Sequence, residues 1–288
     1  MFRFDPQDWP GEVRLAHGSG GQGTQDLISR LFAAAFSDAA LSELTDAAVL
    51  DNPGGRLAFC TDSHAVHPLF FPGGDIGRLA VSGTVNDLAV MGARPAFLSS
   101  AFLLEEGLPL ATLARVVASM AATAAGAGVR VVTGDTKVLE RGRGHGLFVN
   151  TSGVGFVPSG LRLGAARVRP GDVLIVNGTL GDHGFTVLTA REGLADGLGL
   201  RSDVAPLNGL IAALRSAVPG VRFMRDLTRG GLAAVANELA GGQPWGLRVF
   251  EANVPVSGAV RAAAQVLGID PLVAANEGKA LFVVRPQD

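Results

Sequence analysis

The sequence predicts two α/β domains with a ligand cleft between them. Three observations carry that prediction. Short apolar runs bounded by turn residues alternate with stretches of helical periodicity, the pattern of sheets covered by helices. A chain of 288 residues that is 48% hydrophobic has the means to bury a substantial core. Residues 158–172, PSGLRLGAARVRPGD, are turn-rich, and Pro170 and Gly171 give the abrupt turn expected ahead of a new domain's first strand. The boundary is therefore expected there, with domains at 1–160 and 161–288, and interdomain clefts are favoured ligand sites.

Taken in order, the first element is the glycine-rich stretch HGSGGQG at 17–23. From Gly18 to Gly23 it satisfies G-x-G-x-x-G, but the preceding EVRLA carries Glu12 and Arg14, whereas the first strand of a dinucleotide fold is apolar on both faces. An apolar run ending at Asp51 keeps that reading open, and a Walker A lysine is absent. Helical periodicity marks residues 26–36, 76–91 and 110–125. Strands are expected at AAVLD (47–51), RLAFCTD (56–62), FLSSAFLL (97–104), VRVVTGD (129–135), LFVNTSGVGFV (147–157), DVLIVNG (172–178), LRVFEA (247–252) and ALFVVRP (280–286).

Composition narrows the function. A net charge of −2 gives no general attraction to nucleic acid or to an anionic membrane. The single cysteine, Cys60, excludes an internal disulfide and a cysteine-rich zinc site, and inside an apolar run it reads as a buried hydrophobe. The start is polar and proline-broken, with no signal peptide, and no uninterrupted apolar run reaches membrane-spanning length, so a cytoplasmic small-molecule protein is expected.

Acidic residues stand at the ends of apolar runs: Asp46, Asp62, Asp87 and Asp135. One aspartate in such a place usually caps a turn. Four in one half, with Lys137 two residues beyond Asp135, suit magnesium and a polyphosphate, because magnesium takes oxygen ligands and shares substrate phosphates. Backbone N–H groups of the glycine segment would serve the same phosphates. The second half adds GTLGDHG (178–184), RDLTRGG (225–231) and ANEGK (275–279). Asp226 is a metal or ribose contact or a helix cap, and Glu277 a general base or a turn residue. His183 is a candidate pocket residue.

LAHGSGGQ, LTDAAVL, TDSHAVHPLFFPGGDIGRLAVSGTVNDLAVMGARP, VVTGDTKV, NGTLGDHG, RDLTRGG and NEGK follow one another from residue 15 to 279. In that order they resemble the AIR synthase (PurM-like) superfamily of ATP-using enzymes, and within it the HypE family of hydrogenase maturation. The resemblance implies a ferredoxin-like N-terminal domain whose sheet pairs with that of a second copy, and an α/β C-terminal domain. It implies ATP under the glycine-rich segment, with His17, Gly18, Ser19, Gly20, Gly21, Asn86, Thr136 and Asp226 at the nucleotide. Asp46, Asp62, Asp87 and Asp135 would serve Mg2+, and Lys137, Glu277 and Asp87 the chemistry. The activity implied is dehydration of a cysteine-borne carbamoyl group to a thiocyanate that supplies cyanide to hydrogenase iron. The implied partners are a second copy, the carbamoyltransferase HypF and the HypC–HypD complex.

The family continues several dozen residues beyond the NEGK strand to a terminal Pro-Arg-Ile-Cys, whereas this sequence closes on Arg285-Pro286-Gln287-Asp288. A shortened second domain with an exposed apolar edge is expected on that ground. A non-catalytic ATP-binding scaffold is the alternative, and a kinase or selenophosphate synthase of the superfamily a third reading.

Overall fold

The computed structural model of the chain describes residues 5–19, 21–38, 50, 54–194 and 198–288. A helix α1 (Gln22–Leu27) continues through a π-helical stretch at Ile28–Ala33 into Ala34–Phe36, so the periodicity expected at 26–36 is present with an irregular middle. Its Leu27, Leu31 and Phe32 are buried, and Phe32 stacks on Phe102 at 4.8 Å.

The first sheet holds β1 (Arg56–His64), β4 (Arg94–Glu105), β5 (Arg130–Leu139) and β6 (Leu147–Val157), with the small pair β2 (Phe70–Phe71) and β3 (Gly74–Asp75) between β1 and β4 in sequence. Its order is β1-β6-β4-β5, with β4 and β5 parallel and the other neighbours antiparallel. Helices α2 (Ile76–Val90) and α3 (Leu110–Ala127) pack on one face. Asp75 starts α2 by accepting the N–H groups of Gly77 and Arg78 at 2.7 and 3.1 Å, the cap that the GGDIG stretch encodes. In α3, Leu113, Val116, Val117, Met120 and Ala124 fall on one helical stripe and all are buried.

The other face of the sheet is open. Phe59 and Leu57 on β1 are 71% and 54% exposed, and Leu103 on β4 39%.

The second domain is a three-stranded antiparallel sheet in the order β7-β9-β8, formed by β7 (Val173–Val176), β8 (Phe223–Asp226) and β9 (Ala280–Val284). Central β9 is buried at every position, whereas edge strand β7 turns Val173 and Ile175 outward. Helices α4 (Asp182–Arg191), α5 (Asn208–Ala217), α6 (Gly231–Ala240) and α7 (Gly258–Leu267) complete it. LRVFEA is not a strand: 246–250 carries no regular structure, with Val249 and Phe250 exposed, and is followed by a 3-10 turn, because it finds no ladder partner. Four-residue β8 takes the third place in the sheet, and AAVLD lies outside the described residues apart from Leu50.

Helix α2 belongs to both domains. Its last turn puts Ala89 and Val90 into a core with Leu207, Ile211, Met224 and Phe282. Asn86, 2% exposed, donates to the carbonyls of Ala205 and Glu277 and accepts the N–H of Leu207 at 2.7 Å.

Candidate active site

Where α2 meets both sheets, a cleft of about 560 Å³ is lined by Asp62, Asp87, Asp226 and Glu277. Asp62 comes from β1, Asp87 from α2, Asp226 from the last position of β8, and Glu277 from the loop before β9. Gly83 lies one turn before Asp87 on the same helix face, and a Cβ there would stand 3.0 Å from His64 Cε1 and 3.3 Å from Asp62 Oδ2. The missing side chain is what lets β1 bring its carboxylate against the helix.

The electrostatics record that crowding. Burial, then the charges of Asp226 and Asp62, push the Asp87 carboxyl up to about 7. Burial also raises Asp226. Glu277 is held well above the usual carboxylate range, by burial first and then by Asp226 and Asp203. A cluster of oxygen donors whose charges raise one another's proton affinity fits a hard divalent cation. Among the described residues no three such groups stand at the spacing of an all-protein metal cage. Cys60 beside them has a thiol pushed up to about 12 by burial and by Asp87 and Asp62, so it behaves as an inert side chain.

The three loops singled out in the second half of the sequence meet here. Asn276, fully buried, accepts the N–H of Gly181 at 2.8 Å and donates to the carbonyls of Leu227 and Ala274, tying the three together. Asp203 holds Glu277 in place: its carboxylate accepts the N–H groups of Glu277 and Gly278, each at 3.1 Å, and pairs with Lys279 at 3.0 Å.

The remaining residues expected at the site lie elsewhere. Asp135, Thr136 and Lys137 are on β5, and Gly18 packs on Val138 so tightly that a Cβ would come within 2.8 Å of the Val138 nitrogen. His17, Ser19 and Gly21 flank that contact, and His17 Nδ1 accepts the N–H of Arg14 at 2.9 Å. β1 and β5 are opposite edges of the sheet, three strand spacings or about 14 Å apart. They also face opposite ways. Lys137 pairs with Leu103 and Asp135 with Ala101 on the open face, whereas Asp62 pairs with buried Thr151 on the helix face. Asp135 and Lys137 therefore cannot join Asp62 and Asp87 within one copy of the chain, which corrects the single ligand set expected from sequence. Asn86 is corrected too, since its amide is spent on the second domain rather than turned to the cleft. Asp46 and Gly20 lie outside the described residues.

Comparison with known proteins decides the family. The N-terminal domain of AIR synthase related proteins matches residues 44–157 and the C-terminal domain residues 169–288. Carbamoyl dehydratase HypE of Azotobacter vinelandii is 52% identical over 283 residues, covering 98% of this chain and 82% of that relative. The chain belongs to the HypE family of AIR synthase related proteins. A solved structure of hydrogenase maturation protein HypE in complex with ATP superposes with a TM-score of 0.92 at 48% identity, over 95% of this chain and 81% of that one. A structure of a HypE–HypF complex matches with a TM-score of 0.78 at 46% identity, over 91% of this chain and 85% of its own.

In this member of the HypE family several cleft residues had no signal of their own. Arg225 pairs with Glu238 at 3.1 Å, and Arg229 also borders the cleft. Asp203 sits in SDVAPLN, a stretch with no periodicity and no motif. Gly83 was legible only as the residue one turn before an acidic one.

Proposed function

We propose that this chain is an ATP-dependent carbamoyl dehydratase of hydrogenase maturation. The observation that carries the reading is the convergence of Asp62, Asp87, Asp226 and Glu277 in one cleft of a HypE-family chain. Dehydrating an S-carbamoyl group to a thiocyanate removes two N–H protons and one oxygen; the oxygen leaves with the γ-phosphoryl group as phosphate, and ADP is the other product. Glu277 as a carboxylate is suited to take the first N–H proton, burial raising its proton affinity, and the second leaves with the departing phosphate. Asp62, Asp87 and Asp226 would hold Mg2+, which when bound neutralises charge on the transferring phosphoryl oxygens. ATP is supported by the relative solved with that nucleotide.

We further propose a homodimer closed over the open sheet face, as the exposure of Phe59, Leu57 and Leu103 favours. The partner would then supply its β5, with Asp135, Thr136 and Lys137 and the HGSGGQG segment packed on it, to complete the cleft. The relative solved with HypF supports that protein as the carbamoyl donor, and we extend the reading to a HypC–HypD acceptor in the cytoplasm. The test is ADP release by the purified protein given Mg-ATP and a peptide with a carbamoylated cysteine. Release that needs both magnesium and the carbamoyl group is expected; a folded protein that fails to bind ATP would overturn the reading.

A further inference from the structure

A broad groove of about 980 Å³ opens where the start of α2, the exposed face of α3 and the chain at 201–209 meet. It is larger than the acidic cleft and shares no lining residue with it. Its charged lining is Arg78, Arg115, Arg201 and Asp75, so a chain of net charge −2 gathers an excess of positive charge here.

The guanidiniums are held in place without being neutralised. Arg78 on α2 commits its Nε to the Val204 carbonyl at 2.8 Å. Arg115 on α3 lies 3.8 Å over the ring of Phe70, a stacking that leaves the N–H groups at the guanidinium edge for other partners. Arg201 is placed by its neighbour: the N–H of Ser202 donates to the Pro72 carbonyl at 2.9 Å, which ties this chain segment to the β2–β3 hairpin. Asp75 is committed elsewhere. One of its oxygens accepts the N–H groups of Gly77 and Arg78, and the other accepts the Ser119 hydroxyl at 2.7 Å. Among the described residues none of the three arginines forms an ion pair.

The oxygens beside the arginines decide which kind of anion fits. Ser119 gives its hydroxyl proton to Asp75, and Thr123 gives its own to the Ser119 carbonyl at 2.8 Å, so both offer the groove lone pairs. A phosphate, which at neutral pH has almost nothing but acceptors, is repelled by such oxygens. A peptide brings both halves of the match, carboxylates for the guanidinium forks and backbone N–H groups for the hydroxyl oxygens. It also has room to lie down. Ala122, Ala125 and Gly126 are exposed on α3, and a Cβ at Gly126 would meet nothing within 4 Å.

We propose that this groove is a docking site for an acidic peptide segment of a partner protein. Carboxylates of the segment pair with Arg78, Arg115 and Arg201 while its backbone runs along α3. A partner anchored there leaves the residues of the acidic cleft uncovered, so docking and nucleotide binding proceed together.

The probe is a fluorescein-labelled dodecapeptide of alternating glutamate and alanine, blocked at both ends, and binding to the full chain is read by anisotropy. The glutamate peptide is expected to bind and its glutamine counterpart not. R115Q/R201Q is expected to weaken binding at least about tenfold, the scale of losing charge-assisted hydrogen bonds. A122W, which fills the bare surface of α3 without changing charge, is expected to weaken it as much, and R261Q on α7, outside the groove, to leave it unchanged. Mg-ATP affinity is expected to stay within about twofold in every variant and under saturating peptide, since groove and cleft have separate linings. Absence of peptide binding, equal binding of the glutamine peptide, or unchanged affinity in both groove variants would overturn the proposal. Loss of the peptide on adding ATP would overturn it by placing the peptide in the cleft. Displacement by tripolyphosphate at lower concentration than by unlabelled peptide, with A122W without effect, would overturn it in favour of a small-anion site.

Discussion

The acidic cleft and the β5 edge carry the same kinds of residues, aspartates beside glycines at strand ends, yet they are built differently. In the cleft every carboxylate is held by packing from both domains, and its cost is visible in the raised proton affinities of Asp87, Asp226 and Glu277. On β5, Asp135 and Lys137 lie exposed on an open sheet face. One region gathers its carboxylates under burial; the other displays its charged residues on an exposed sheet face. The difference teaches that residues of one motif set need not meet within one chain.

The largest effect expected concerns the buried carboxylates. Glu277→Gln should lower turnover by about a thousandfold, the scale of losing a positioned general base, while raising the melting temperature of the metal-free protein. A variant that loses stability as well would mean that the cleft is not strained.

Next in size is the buried ring beside the cleft. His183 has a folded pKa depressed to about 4, so its contribution is fully present above the unfolded value near 6.5 and is lost as the pH falls through about 4. His183→Gln should flatten the decline in stability between those limits by on the order of 3 kcal/mol, measured by denaturant unfolding across the range. An identical slope in both proteins would show that the ring titrates normally.

The comparison itself is broken or sharpened by mixing subunits. If the β5 edge of one copy completes the cleft of the other, Lys137→Ala and Glu277→Gln are each inactive alone. Their equimolar mixture, unfolded and refolded together, regains about a quarter of wild-type turnover, since half the dimers are mixed and each has one intact site. No recovery would return Lys137 to the cleft of its own chain or remove it from the chemistry.

The smallest effect is expected at Gly83. Ala there gains up to about 1 kcal/mol of helix propensity but presses on His64 and Asp62. Stability should change by less than about 1 kcal/mol, and the change should appear instead as weaker magnesium dependence of ADP release. A purely thermal effect with unaltered magnesium dependence would show that Asp62 has room to move.

Much of this was legible in the sequence because it is local. The 3.6-residue period gave α2 and α3 to within two residues, and the glycine and aspartate pairs gave the loops that carry Asp226 and Glu277. What could not be read is what depends on strand order. VVTGDTK and AFCTDSH look alike as strand ends, and nothing in either says that they become opposite edges of one sheet facing opposite ways. Asn86 and Asp87 are adjacent, but 100° of helical rotation sends one into the second domain and the other into the cleft. FMRD was too short to be told from the loop it enters, and LRVFEA had the pattern of a strand without a neighbour to pair with.

The sharing of α2 has a mechanical consequence. With Ala89 and Val90 embedded in the second domain's core and Asn86 bonded to three of its backbone groups, the helix ties the two halves together. Nucleotide entry by jaw-like closure would have to tear that helix from one of its two cores. The two domains therefore share packing through one helix, and calorimetry should record a single cooperative melting transition rather than two.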